Sequence, residues 1–175
     1  GYERVKIITT TQKTTMEMEP LTNQIVIFGA TGDLCKRKLI PSLLKLHEKK
    51  LLPNNLKIVG TSRREMSRDD WLWMLGDYPK DFKERLKWVS TDLTSQSTLE
   101  KLPEADDTTY FLSVPPERYE FAIVNLKQAG LLDDPETSRV VIEKPFGYDY
   151  KSANNLQSVV GRYLREKQVY RIDHY

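Results

Sequence analysis

The run Ile25-Val26-Ile27-Phe28-Gly29-Ala30-Thr31-Gly32-Asp33-Leu34 constrains this chain more than any other stretch. Its four consecutive apolar residues do not alternate with polar ones, so the strand they form is covered on both faces, as a central strand of a parallel sheet is. Two glycines follow, separated by two residues. A strand, Gly-x-x-Gly and a helix together open a dinucleotide-binding unit. There the first glycine permits a sharp turn, and the second lets the backbone approach a pyrophosphate at the helix N-terminus. A longer fingerprint would place another small residue where Cys35 stands. A plain tight turn gives the same short pattern, so the other segments have to decide.

At 175 residues the chain is long enough for one domain, and a domain of that size buries roughly 70% of its unfolded surface. With 39% apolar and 30% charged residues it reads as soluble and globular. A net charge of +2 is too small to argue for nucleic acid or membrane binding. Cys35, the single cysteine, excludes an internal disulfide, fits a reducing compartment, and reads as a small residue packed near the first turn. No apolar run approaches the ~20 residues that span a bilayer. Residues 1–20 carry threonine clusters and glutamates without an apolar core, which excludes a secretory signal and predicts a polar, disordered extension. Residues 21–175 then form the domain.

Strand and helix alternate along that domain, which predicts an α/β fold, a Rossmann-like doubly wound parallel sheet with helices on both faces. Asp33 to Lys50 reads as helix in two pieces, with Pro41 in the first turn of the second piece. Lys36-Arg37-Lys38 stand just after the glycine turn, either as a solvated basic turn or beside phosphates. His47 is predicted on the exposed side of that helix. Leu56 to Gly60 is the second strand, followed by Thr61-Ser62-Arg63-Arg64. An NAD-binding unit places an acid near this strand end to hold the ribose 2′-hydroxyl. Here the position carries hydroxyls and guanidiniums, which hold a 2′-phosphate instead, so NADP is the preferred coenzyme.

Ser67 caps a helix through Trp71, and Leu86 to Val89 is the third strand. A short helix follows from Thr94 to Leu102. Thr108 to Ser113 is the fourth strand, leaving the sheet at Val114-Pro115-Pro116. Tyr119 opens the next helix, which stops at Gly130, and from there it either reaches the coenzyme or packs. Arg139 to Ile142 is the fifth strand and runs into Glu143-Lys144-Pro145-Phe146-Gly147. A charged pair at a buried strand tip costs desolvation, which an ordinary loop avoids. A helix over 154–164 precedes a sixth strand at Val169 to Ile172, and Asp173-His174-Tyr175 follows it.

Four motifs stand in order: Gly-Ala-Thr-Gly-Asp-Leu-x-Lys-Arg-Lys at 29–38, Val-Gly-Thr-Ser-Arg at 59–63, Glu-Lys-Pro-Phe-Gly at 143–147 and Arg-Ile-Asp-His-Tyr at 171–175. Over residues 24–175 the chain resembles the N-terminal half of the glucose-6-phosphate dehydrogenases. The resemblance implies that Gly29, Ala30, Thr31, Gly32, Asp33, Leu34, Cys35 and Lys36 wrap the coenzyme diphosphate. It implies that Arg63 binds the 2′-phosphate of NADP and that Tyr119 lies near the coenzyme. Lys38 and Lys144 fall where nicotinamide and sugar meet, Lys144 touching both. His174 and Tyr175, with Lys144, hold the phosphate of glucose 6-phosphate, and Asp173 orients a general-base histidine. Asp173, Lys144 and Lys38 are thus the catalytic candidates, with no metal. The implied reaction passes a hydride from C1 of glucose 6-phosphate to NADP and gives 6-phosphogluconolactone, in the pentose phosphate pathway of the cytoplasm. In the family the base lies in a C-terminal β+α domain that would follow residue 175, and that domain also forms the homo-oligomer.

Two other readings remain. A broader family of sugar oxidoreductases also carries Glu-Lys-Pro at the fifth strand of a Rossmann domain, without the terminal Arg-Ile-Asp-His-Tyr. A stand-alone NADP-binding module without turnover needs no general base.

Overall fold

The computed structural model describes residues 22–143 throughout, together with 5–8, 13–15, 158, 160–162, 164–165 and 168–174. For 5–8, 13–15 and 172–174 the description covers the backbone alone.

Strand β3 (Gln24–Phe28) is buried along its whole length. It pairs in parallel with β4 (Lys57–Thr61) on one side and β6 (Thr108–Leu112) on the other. Beyond β4 lies β5 (Leu86–Trp88), and beyond β6 lie β7 (Ser138–Glu143) and β8 (Val169–His174), all parallel. The chain therefore winds outward from β3 in both directions. That is the doubly wound arrangement, with a crevice where β3 and β6 diverge at their carboxyl ends. Inside the stretch read as a polar extension, β1 (Val5–Ile8) and β2 (Lys13–Thr15) form an antiparallel pair. β1 lies antiparallel to β8, giving the order β2-β1-β8-β7-β6-β3-β4-β5. Without such a partner β8 would present unpaired backbone groups along the sheet edge.

The uninterrupted apolar runs predicted for the central strands follow from two covered faces. Ile25 and Ile27 point to one side, where they meet α1 (Ile40–Glu48), α2 (Arg68–Leu75) and α3 (Lys80–Lys83) through Ile40, Leu43, Trp71 and Phe82. Val26 and Phe28 point to the other, against α5 (Tyr119–Gln128) through Tyr119, Ala122, Ile123 and Leu126. The short α4 (Gln96–Leu99) adds Leu99 to that second face. Helix bounds follow local chemistry. Pro41 sits in the first turn of α1 after a π-helical segment, Cys35–Leu39, so the two-piece reading holds. Ser67 and Asp70 close a reciprocal capping box on α2. The turn at Gly130, with φ +80°, follows α5. Only fragments of the helix predicted over 154–164 fall among the described residues.

One placement corrects the sequence reading. His47 is not on an open face: its side chain keeps only 14% exposure because α3 folds over it. Its ring lies edge-on to Phe82, Arg85 Nε donates to its Nδ1 at 2.9 Å, and its Nε2 lies 3.0 Å from Asp81 Oδ2. Arg85 also donates to the carbonyls of Pro53 and Leu56, at the amino end of β4.

Candidate functional site

The turn after β3 is held from three sides. Gly29 has φ +77°, and a Cβ there would lie 2.0 Å from the Ser113 carbonyl oxygen, so no other residue fits. The Gly29 and Ala30 N–H groups both donate to Thr61 O at 3.1 Å, tying the turn to the end of β4. On the far side, Trp71 donates its indole N–H to Ala30 O at 2.9 Å. The first helical i→i−4 bond, Lys36 N–H to Gly32 O at 3.2 Å, makes Gly32 the cap of the following helix. The N–H groups of Asp33, Leu34 and Cys35 thereby form its first turn, which has no intrahelical acceptor for them. Such a turn favours anions by both hydrogen bonding and dipole.

The predicted residues around this turn separate into distinct roles. Cys35 is fully buried, and burial pushes its thiol up to about 12, so it can reach a ligand only through its backbone. Arg37 turns outward to pair with Asp33 at 3.2 Å. Lys36 is exposed, whereas Lys38 is half-buried and acts electrostatically on Glu143, at the end of β7. Burial raises the Glu143 carboxyl above its ordinary value, and the Lys38 charge opposes that rise. Tyr119 is buried, with its hydroxyl donating to Glu143 O at 3.0 Å and accepting from Glu143 N at 3.3 Å. It thereby clamps the strand tip immediately before Lys144. Burial pushes its phenol up to about 12.

A cleft of about 270 Å³ opens beside Gly29, between the carboxyl ends of β3, β4, β5 and β6. Phe28, Leu93, Val114 and Pro115 give it apolar walls, and Arg63, Asp92 and Arg118 give it charge. Thr61 Oγ1 and Thr91 Oγ1, 2.6 Å apart, brace the two strand ends behind it. Asp92 is held below the ordinary carboxylate range, first by bonds from the Thr94 hydroxyl and N–H, then by the charges of Arg63 and Arg118. Beside the switch point, a smaller recess is lined by Leu34, Leu39, Ser113, Ile142 and Glu143. Ser113 Oγ is buried there without a hydrogen-bond partner among the described residues.

Arg63 and the glycine turn thus reach one site, as their spacing predicts. Thr91, Asp92 and Arg118 are additions that the sequence reading missed. Thr91 and Asp92 follow a strand at its carboxyl end, a signal that would have found them. Arg118 gave no such signal, because its reach depends on the turn at Pro115-Pro116. Asp173 and His174 lie on β8, whose register pairs Ile172 with Glu143. Their backbone therefore continues past the tip of β7 at the same end of the sheet as the recess. Lys144 and Tyr175 lie outside the described residues. Among the described residues no cluster of three His, Cys, Asp or Glu side chains could hold a metal ion. Nor is any described helix long and apolar enough to cross a membrane.

Residues 26–175 match the family described as "Glucose-6-phosphate dehydrogenase, NAD binding domain". The chain belongs to the glucose-6-phosphate dehydrogenase family. A glucose-6-phosphate 1-dehydrogenase of Zymomonas mobilis is 37% identical over 170 residues, covering 86% of this chain and 35% of that protein. The crystal structure of glucose-6-phosphate 1-dehydrogenase from Mycobacterium avium matches with a TM-score of 0.75 at 29% identity, over 87% of this chain and 36% of that one. A glucose-6-phosphate dehydrogenase solved with its substrate glucose-6-phosphate matches at TM-score 0.73 and 26% identity, again over 87% and 36%. The chain therefore spans about a third of the length of the relatives it matches, and the family's coenzyme-binding region is the part it covers.

Proposed function

We propose that this chain supplies the coenzyme site and part of the substrate site of an NADP-dependent glucose-6-phosphate dehydrogenase. The observation that carries the reading is the cleft in which Gly29 and Arg63 meet. The residues fit a phosphorylated dinucleotide. A helix first turn faces the diphosphate position, apolar walls suit a base, and guanidiniums stand where a ribose phosphate would fall. Absence of an acid at the end of β4 favours NADP over NAD. Bound in this way, the coenzyme supplies a hydride acceptor for C1 of glucose 6-phosphate, and the product is 6-phosphogluconolactone.

The chain's own residues then divide the work. Lys38 acts electrostatically on Glu143 at the strand tip that Tyr119 fastens, and Lys144 is the next residue along from that tip. Lys144, His174 and Tyr175 are assigned to the sugar phosphate, which asks for cations and hydroxyls. Asp173 is assigned to orient the base that takes the O1 proton. We place the reaction in the pentose phosphate pathway of the cytoplasm, in a homo-oligomer. A second reading, an NADP-binding module without turnover, is favoured by His47. Its ring is committed to Asp81 and Arg85 near the amino end of β4, opposite the cleft, where it cannot serve as base.

Titration with NADP and NAD tests the coenzyme site. Arg63→Ala should cost NADP on the order of 1.5–3 kcal/mol and leave NAD nearly unchanged. Equal losses for both would remove the 2′-phosphate assignment. NADPH formation with glucose 6-phosphate, followed by absorbance, separates the dehydrogenase from the module.

A further inference from the structure

Arg63 is the residue that the sequence assigns to a 2′-phosphate, yet a second guanidinium lines the same cleft. Arg118 ends the 3₁₀ turn Pro116–Arg118 that leads into α5, and it faces the cleft from the β6 side. Both arginines are exposed, and among the described residues neither guanidinium has a hydrogen-bond acceptor. Arg68, Arg85 and Arg139 differ, since their guanidiniums are engaged by carbonyls or a carboxylate. Arg118 is also positioned in advance. Its N–H donates to Pro115 O at 2.8 Å, and its guanidinium carbon lies 5.5 Å from the centroid of the Phe121 ring. A cation–π contact of this kind uses none of the guanidinium N–H donors, which stay available to a ligand.

Charge balance in the cleft gives Arg118 its purpose. Asp92 is ionised at neutral pH and lines the same wall, where it opposes an incoming phosphate. One arginine would only cancel it. Two leave a net positive charge with two donor forks, which is what a phosphate dianion requires. We propose that Arg118 is a second phosphate-binding residue, which clamps the 2′-phosphate of the coenzyme adenosine together with Arg63 and so sets NADP preference. This rests on the dinucleotide reading of the cleft.

The test is calorimetric titration of the protein with adenosine 2′,5′-bisphosphate and with adenosine 5′-monophosphate. Wild type, Arg118→Ala and Arg118→Lys are compared at two salt concentrations. Arg118 is exposed, so neither variant threatens folding. The expected result is about tenfold weaker bisphosphate binding in Arg118→Ala with a shallower salt dependence, partial recovery in Arg118→Lys, and unchanged monophosphate binding. Equal weakening of both nucleotides would make Arg118 a platform for the base and overturn the proposal, as would no change for either. A wild type that does not favour the bisphosphate overturns the NADP reading itself, a result distinct from any effect of the substitution.

Discussion

Trp71 donates its indole N–H to the carbonyl of Ala30 at 2.9 Å, tying helix α2 to the glycine turn across 41 residues of sequence. The ring is fully buried and lies directly over Gly60, where a Cβ would fall 2.4 Å from its Cζ2 atom. The shape of the glycine turn is thus set partly by a side chain from a helix 41 residues further along the chain. The same ring makes Gly60 in β4 irreplaceable by anything larger without moving α2.

Replacing Trp71 by Phe keeps an aromatic ring but leaves Ala30 O without its buried donor. The expected cost is about 1–2 kcal/mol in urea unfolding, with weaker NADP binding because the turn loses its brace. Unchanged stability together with unchanged binding would show that the turn holds its shape without α2.

Asp107 and Arg139 form a bidentate pair at the amino ends of β6 and β7, with Arg139 Nη2 to Asp107 Oδ2 at 2.8 Å and Thr22 donating to Oδ1 at 2.8 Å. Burial opposes the Asp107 charge, but the bonds from Arg139 and Thr22 and the Arg139 charge outweigh it and hold the carboxyl below its ordinary value. A carboxyl depressed in the folded state contributes stability above its unfolded value of about 3.9, and that stability is lost as pH falls through the folded value. Stability should therefore decline below about pH 4. Asp107→Asn should flatten this decline while costing about 3 kcal/mol at neutral pH, because Arg139 keeps only 18% exposure and loses its counter-charge. An acid limb identical to wild type would assign the decline to other carboxyls.

Cys35 offers a probe of the same region. Buried and raised to about 12, it should resist iodoacetamide at pH 8 in the native protein and react promptly in denaturing urea. Mass spectrometry reads the difference. Fast native labelling would mean that the helix after the glycine turn opens locally.

The order of strands and helices was legible because it rests on periodicity and local backbone chemistry. An unbroken run such as Ile25 to Phe28, short and closed by a glycine turn, suits a strand covered on both faces. Gly29 had to be glycine because of a turn the motif already implied, and Ser67 and Pro41 announce helix starts by what their atoms can and cannot bond. That arginines rather than an acid follow β4 was legible for the same reason, since a strand end fixes where the next side chain can stand. Pairings between residues far apart in sequence were not. His47 falls on the charged side of its helix by local pattern, and only the packing of α3 shows that Phe82 and Arg85 cover it. Arg118 carried no signal in the sequence, and only the turn at Pro115-Pro116 brings it to the cleft that Arg63 also lines. Local sequence determines which elements form and what chemistry their ends carry. Which ends meet is decided by tertiary structure, because each such contact depends on the burial of two covered faces at once.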